Sequence, residues 1–202
     1  MGLDKVSRST NLRHCWIGFG IVAAVSLLLE LGGDGARQAL AYNRDALAAG
    51  EYWRLLTAHF VHLSLTHLLL NLAGLALVVW IVGHAFNWSR WLLVIGLSIV
   101  SIDAGFWFLA PELDWYVGIS GLLNGFLAAG LVIGVADRER ESIALAIIVL
   151  VKLSWEQAVG PMPGSESTSG GAVVVDAHIY GAVGGLLAVA LLWRSVGPSA
   201  PI

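Results

Sequence analysis

The sequence predicts an all-α, polytopic membrane protein with six transmembrane helices, and three observations carry that prediction. Of its 202 residues, 57% are hydrophobic and 12% charged, against about 45–50% and about 25% in a soluble domain. The apolar residues gather into six runs parted by shorter polar connections. With about 20 residues needed per span, a chain of this length holds at most six or seven and leaves little room for a separate soluble domain. The expected organisation is one transmembrane domain over residues 1–202. A net charge of −3, from 11 Lys+Arg and 14 Asp+Glu, provides no basic stripe to follow a phosphate backbone. The expected surroundings are therefore a lipid bilayer and not nucleic acid. Cys15 is the one cysteine. It can form neither an internal disulfide nor a cysteine-built metal site.

The first run, 16–31, follows Lys5, Arg8 and Arg13. It resembles the core of a signal peptide, but no clean small-residue cleavage site follows, so it is read as an uncleaved first span. The polar stretch 32–60 is too long for a bare connector and should be functional or carry small helices of its own. Further spans are expected at about 64–83, 91–109, 120–136, 143–155 and 174–193. The Gly/Ser/Pro-rich stretch 160–171 reads as a connection without helix. With six spans both ends share one side. Alternate assignment puts Lys5, Arg8, Arg13, Arg90, Arg138, Arg140 and Arg194 with the termini and Arg37, Arg44, Arg54 and Lys152 opposite, seven against four. That asymmetry predicts cytoplasmic termini. Eight tryptophans, at 16, 80, 88, 91, 107, 115, 155 and 193, mostly fall near span ends and read as an interfacial belt.

Polar side chains within a bilayer are costly and point to function. Here they are His67 and Asn71 in the second run, Asp103 in the third, Ser120 and Asn124 in the fourth, Lys152 and Glu156 in the fifth, and Asp176 and His178 in the sixth. The second, fourth and sixth spans all run inward. At ~1.5 Å per residue, His67, Asn71, Ser120 and His178 all fall within the outer ~10 Å and can share one depth. His67 and Asn71, four apart, lie on one helix face, whereas His62 falls in the preceding loop. Gly118-Ile119-Ser120-Gly121 sets a serine where a helix begins. Gly121 with Gly125, and Gly181 with Gly185, form small-residue faces that let two helix backbones approach closely. Each signal alone has an ordinary packing explanation. Together they set a nucleophile, a base and hydrogen-bond donors at one level. Asp176 is two residues from His178 and does not face it, so the expected device has two members, Ser120 and His178.

At these residues the chain resembles the rhomboid intramembrane serine proteases across nearly all six spans. The resemblance rests on Trp53-Arg54, on His62, His67 and Asn71 at their spacing, on Gly118-x-Ser120-Gly121, and on Ala177-His178-x-x-Gly181-x-x-x-Gly185. It implies a rhomboid-like six-helix bundle with no cofactor or metal. It also implies that Ser120 is the nucleophile, that His178 is the general base, and that His67, Asn71 and the Ser120 N–H form the oxyanion hole. Trp53, Arg54 and His62 would shape the first loop. Glu51 to Thr57, Lys152-x-x-Trp155-Glu156-Gln157 and Val175-Asp176-Ala177-His178-x-Tyr180-Gly181 further resemble the rhombosortase branch. That branch implies transmembrane protein substrates carrying a C-terminal Gly-Gly motif, a helix and a basic tail. It also implies residence in a cell inner membrane with the site facing the periplasm. Asn124 departs from the family pattern, which often has an aromatic residue stacked on the catalytic histidine there. A hydrogen bond from Asn124 to His178 is the expected substitute.

Competing readings are a catalytically silent relative that escorts transmembrane clients, and an aspartyl protease built on Asp103 and Asp176. The first is disfavoured because both Ser120 and His178 are present. The second lacks a supporting motif, since two carboxylates must share a site to divide their proton affinities. A metalloprotease lacks its His-Glu-x-x-His signature, and a transporter lacks internal duplication. Lys152 and Glu156, four apart, read either as a salt bridge or as residues for substrate recognition or lateral gating.

Overall fold

The computed structural model describes residues 2–196, with side chains from 8 to 194. The side chain of Lys5, counted above with the charges beside the termini, lies outside them. Six long helices dominate: α1 (Gly2–Glu30), then α5 (Leu65–Val82), α6 (Trp88–Leu109), α7 (Ser120–Ala136), α8 (Arg140–Ala158) and α10 (Asp176–Val196). Between the first two lie three short helices, α2 (Gly33–Leu40), α3 (Arg44–Ala48) and α4 (Arg54–Thr57). A single turn, α9 (Ser165–Ser169), precedes α10. The strands among the described residues are two-residue pieces, β1 (Tyr42–Asn43) and β2 (Trp115–Tyr116), paired antiparallel with Tyr42 opposite Tyr116. α5, α6 and most of α1 and α10 are long and apolar enough to cross a membrane, and α7 is a shorter apolar helix of 17 residues. This is an all-α membrane bundle.

Side-chain caps set the starts of α3, α5 and α6. Ser64 accepts from the His67 N–H at 3.1 Å, Asn43 from Ala46 at 2.8 Å and Asn87 from Arg90 at 3.1 Å. Each satisfies a first-turn donor that has no partner within the helix. The 160–171 stretch differs from expectation, because it holds α9. Glycines 164 and 170 at its two ends adopt left-handed φ of 81° and 86°. They close one helical turn on both sides, so there they delimit a helix instead of preventing one.

α7 is central and touches α5, α6, α8 and α10, while α1 packs on α5. The α7–α10 seam is the tightest contact. A Cβ built on Gly181 would lie 2.0 Å from the Gly121 carbonyl oxygen, and one on Gly185 2.1 Å from that of Gly125. Backbone meets backbone there, as small-residue faces permit. Trp91 corrects the belt expectation, since it is 6% exposed, stacks edge-on with Phe86 and Phe126, and donates to the Gly83 carbonyl at 3.3 Å. The other seven belt tryptophans are exposed.

The 32–60 stretch is held by arginines on open carbonyls. Arg54 is buried, donates to the Gln38 and Ala41 carbonyls at 2.8 Å each, and pairs with Glu51 at 2.7 Å. Trp53 is exposed and bonds the Ala39 carbonyl at 3.2 Å. Arg44 caps the end of α6 through the Phe106 and Ala110 carbonyls at 2.5 and 2.9 Å. These bonds satisfy carbonyls that a helix leaves open at its C-terminus.

Candidate active site

Ser120 opens α7, two residues after Gly118, whose φ of +116° suits glycine alone. The Gly118 N–H donates to Ala58 O at 2.9 Å, and its carbonyl accepts from the Tyr116 hydroxyl at 2.6 Å. The turn before the serine is therefore tied to the first loop and to β2. Tyr116 was not singled out from the sequence, because an aromatic beside a predicted span end carries no distinguishing pattern. As a first-turn residue, Ser120 presents a backbone N–H with no acceptor in its own helix.

Across the glycine seam, His178 on the first turn of α10 brings Nε2 to 3.0 Å from Ser120 Oγ. That is hydrogen-bonding distance for a nucleophile and its base. The opposite ring nitrogen differs from the two-member expectation. His178 Nδ1 lies 3.0 Å from Glu156 Oε2, a carboxylate contributed by α8. Glu156 in turn pairs with Lys152 at 2.9 Å. The i, i+4 salt bridge is present, but it is turned into the site. Lys152 Nζ also lies 3.2 Å from His178 Nδ1.

Asn124 does not bond His178, contrary to expectation. Its amide donates to the Ser120 carbonyl at 2.9 Å, and its Oδ1 accepts from Lys152 at 3.3 Å. The cause is geometric: one helical turn below the serine, the amide reaches its own helix's carbonyl first. Asn124 therefore meets the imidazole only through Lys152.

On the other side, α5 brings His67 and Asn71 to the Gly118 turn. A Cβ on Gly118 would fall 3.0 Å from His67 Cε1, 3.2 Å from His67 Nε2 and 3.5 Å from Asn71 Nδ2. His67 Nδ1 accepts from the Leu63 N–H at 3.3 Å, which in the neutral ring puts the proton on Nε2, facing the site. Asn71 Nδ2 is buried with no acceptor among the described residues. His62 lies in the loop, with its ring edge-on to His67 at 5.1 Å and its carbonyl held by Arg37 at 2.6 Å. Burial pushes the loop imidazoles down, His62 to about 3 and His59 to about 4, so both are neutral around pH 7.

The two span aspartates have separate partners. Asp103 faces His59 Nε2 at 3.9 Å, and Asp176 accepts from Gln157 at 3.3 Å. Because His59 is neutral, the first of these is not an ion pair. The arrangement has the parts for acyl transfer. It comprises a hydroxyl on an imidazole, a carboxylate behind that imidazole, and the unpaired Asn71 amide with the His67 ring at the glycine turn before the serine.

A polytopic helix bundle with a serine and a histidine meeting across a glycine seam defines a class of membrane protein. The rhomboid domain family matches residues 49–195, and the chain belongs to the rhomboid family. Rhomboid protease GluP of Bacillus subtilis (strain 168) is 30% identical over 179 residues, covering 82% of this chain and 32% of that protein. The chain thus spans about a third of that relative's length.

Proposed function

We propose that the chain is an intramembrane serine endopeptidase acting on transmembrane protein substrates. The observation that carries this reading is the 3.0 Å contact between Ser120 Oγ and His178 Nε2 beside the unpaired Asn71 amide. Ser120 Oγ attacks the scissile carbonyl while His178 Nε2 takes its proton. The oxyanion is received by Asn71 Nδ2, His67 Nε2–H and the Ser120 N–H. His178 then passes the proton to the leaving amine, and water resolves the acyl-enzyme by the same base. The resemblance to rhombosortases supports a narrower reading. In it, substrates carry a C-terminal Gly-Gly motif, a helix and a basic tail, the termini are cytoplasmic, and the site faces the periplasm of an inner membrane.

The test is mass spectrometry of a Gly-Gly-tailed client from cells carrying wild type, Ser120→Ala or His178→Ala. Cleavage near the Gly-Gly should occur with wild type alone, and a fluorophosphonate should label wild type but not Ser120→Ala. Either single substitution should equal the double, because members of one catalytic unit are not additive. Client binding without cleavage in wild type would establish the silent, escorting relative instead. Cleavage elsewhere in the client would reject the rhombosortase reading and leave the protease intact.

A further inference from the structure

We propose that Glu156 is a positioning residue for this reaction, its carboxylate accepting a hydrogen bond from the Nδ1–H of His178 so that Nε2 stays free for the Ser120 hydroxyl. The proposal rests on the Ser120/His178 reading above. For Nε2 to accept the serine proton, the neutral ring must carry its own proton on Nδ1. That N–H is buried with its residue, 6% exposed, and needs an acceptor. Two side chains stand at bonding distance from Nδ1, Glu156 Oε2 at 3.0 Å and Lys152 Nζ at 3.2 Å. An ammonium has three donors and no acceptor, so only the carboxylate can accept a hydrogen bond from Nδ1–H. Were Glu156 absent, Lys152 would favour the opposite tautomer, with the proton on Nε2 and the serine deprived of its base.

The rest of the cluster supplies what a buried carboxylate requires. Glu156 is 4% exposed, and an unpaired charge there would be costly. Lys152 at 2.9 Å neutralises it and is itself held by Asn124, whose amide bonds the Ser120 carbonyl. Asp176, on the same helix as His178, is occupied by Gln157. Asp103 faces His59. Among the described residues, Glu156 is the carboxylate at bonding distance from the imidazole.

Glu156→Gln, Glu156→Asp and Lys152→Met are compared in the full chain in lipid nanodiscs, by cleavage rate and by ¹⁵N-histidine spectra with His178 assigned from His178→Ala. In Glu156→Gln, Lys152 holds the amide oxygen and turns the NH2 toward Nδ1, imposing the wrong tautomer. A substitution of that kind behind a serine protease's histidine costs about 10⁴-fold. The expected loss here is about 10²- to 10⁴-fold in turnover with substrate KM nearly unchanged, together with loss of the Nδ1–H signal of His178. Glu156→Asp recovers part of both, and Lys152→Met retains the Nδ1–H signal. If Glu156→Gln keeps the Nδ1–H tautomer, or if Lys152→Met and Glu156→Gln behave alike, Glu156 is only a partner for Lys152 and the proposal is overturned. The tautomer is read without turnover. Cleavage by Ser120→Ala would therefore reject the proposed function, whereas an unchanged tautomer would reject the positioning role alone.

Discussion

The α7–α10 seam and helix α8 both reach the site, but they are held by opposite means. At the seam, carbonyl oxygens of one helix fill the space where the other's glycines would carry a Cβ, at 2.0 and 2.1 Å. No side-chain rotamer can relax such a contact. Along the 19 residues of α8, in contrast, Leu153 and Glu156 are the buried ones, while Ile147, Ile148, Leu150 and Val151 are exposed. In a bilayer that face meets lipid, which is as apolar as another helix, so little drives it inward. The Ser120–His178 distance is therefore a property of the backbone fold. The Glu156–His178 distance depends on Leu153, on the partly buried Leu145, Ala146 and Val149, and on a polar cluster.

The largest expected effect breaks the seam. Gly181→Ala drives a methyl into the Gly121 backbone, where neither partner has a flexible end to yield. Overpacking of this kind costs about 1–3 kcal/mol or more, and relief requires the helices to separate just below Ser120 and His178. Both the melting temperature and fluorophosphonate labelling should collapse together. Leu150→Ala on the exposed face of α8 should shift stability by only about 0.5 kcal/mol and leave labelling intact. Equal damage from the two would show that α8 is as firmly seated as the seam.

A smaller but still large loss is expected on the donor side, which neither region supplies. Asn71→Ala and His67→Ala should each lower turnover by about 10² to 10³, the usual consequence of losing one oxyanion donor. Substrate affinity should hold. Loss of affinity at constant turnover would mark these side chains as ground-state binders.

This contrast also explains what could be read from the sequence. Seam and site were legible because both rest on residue type at fixed spacing. Glycines four apart predict a close helix face, a serine between glycines predicts a helix start, and a histidine and an asparagine four apart predict one face. Glu156 was legible as a charged residue in a span and as a partner for Lys152, but not as a neighbour of His178. That contact depends on how far α8 leans toward α10, which no period within α8 encodes. Chain order does hint at it, since Glu156 lies in the last turn of α8 and His178 in the first turn of the next long helix, so the two share a level. The expected Asn124–His178 bond failed for a local reason: an asparagine one turn below a serine has a carbonyl of its own helix within reach. Trp91 was misassigned because position near a span end does not distinguish a lipid-facing ring from one that closes on Phe86.

Within the site, the smallest effect is expected at Asn124, which joins the two regions. It sits on α7 but bonds Lys152 of α8 at 3.3 Å, and it meets the imidazole only through that lysine. Asn124→Ala removes one bond to the Ser120 carbonyl, which the helix itself also engages, and one of several partners of Lys152. Two neutral or singly charged hydrogen bonds of this kind are worth about 1–3 kcal/mol together. Part of that returns as Lys152 tightens on Glu156. The melting temperature should fall by a few degrees and turnover by less than about 10-fold, because Glu156 still holds Nδ1. Unfolding curves and single-turnover cleavage on the same preparation separate the alternatives. A loss of 10²-fold or more at unchanged melting temperature would mean that Lys152 and Glu156 hold their place only through Asn124. The polar cluster would then be an extension of the seam, and the contrast between a rigid pair and a loosely seated third member would no longer stand.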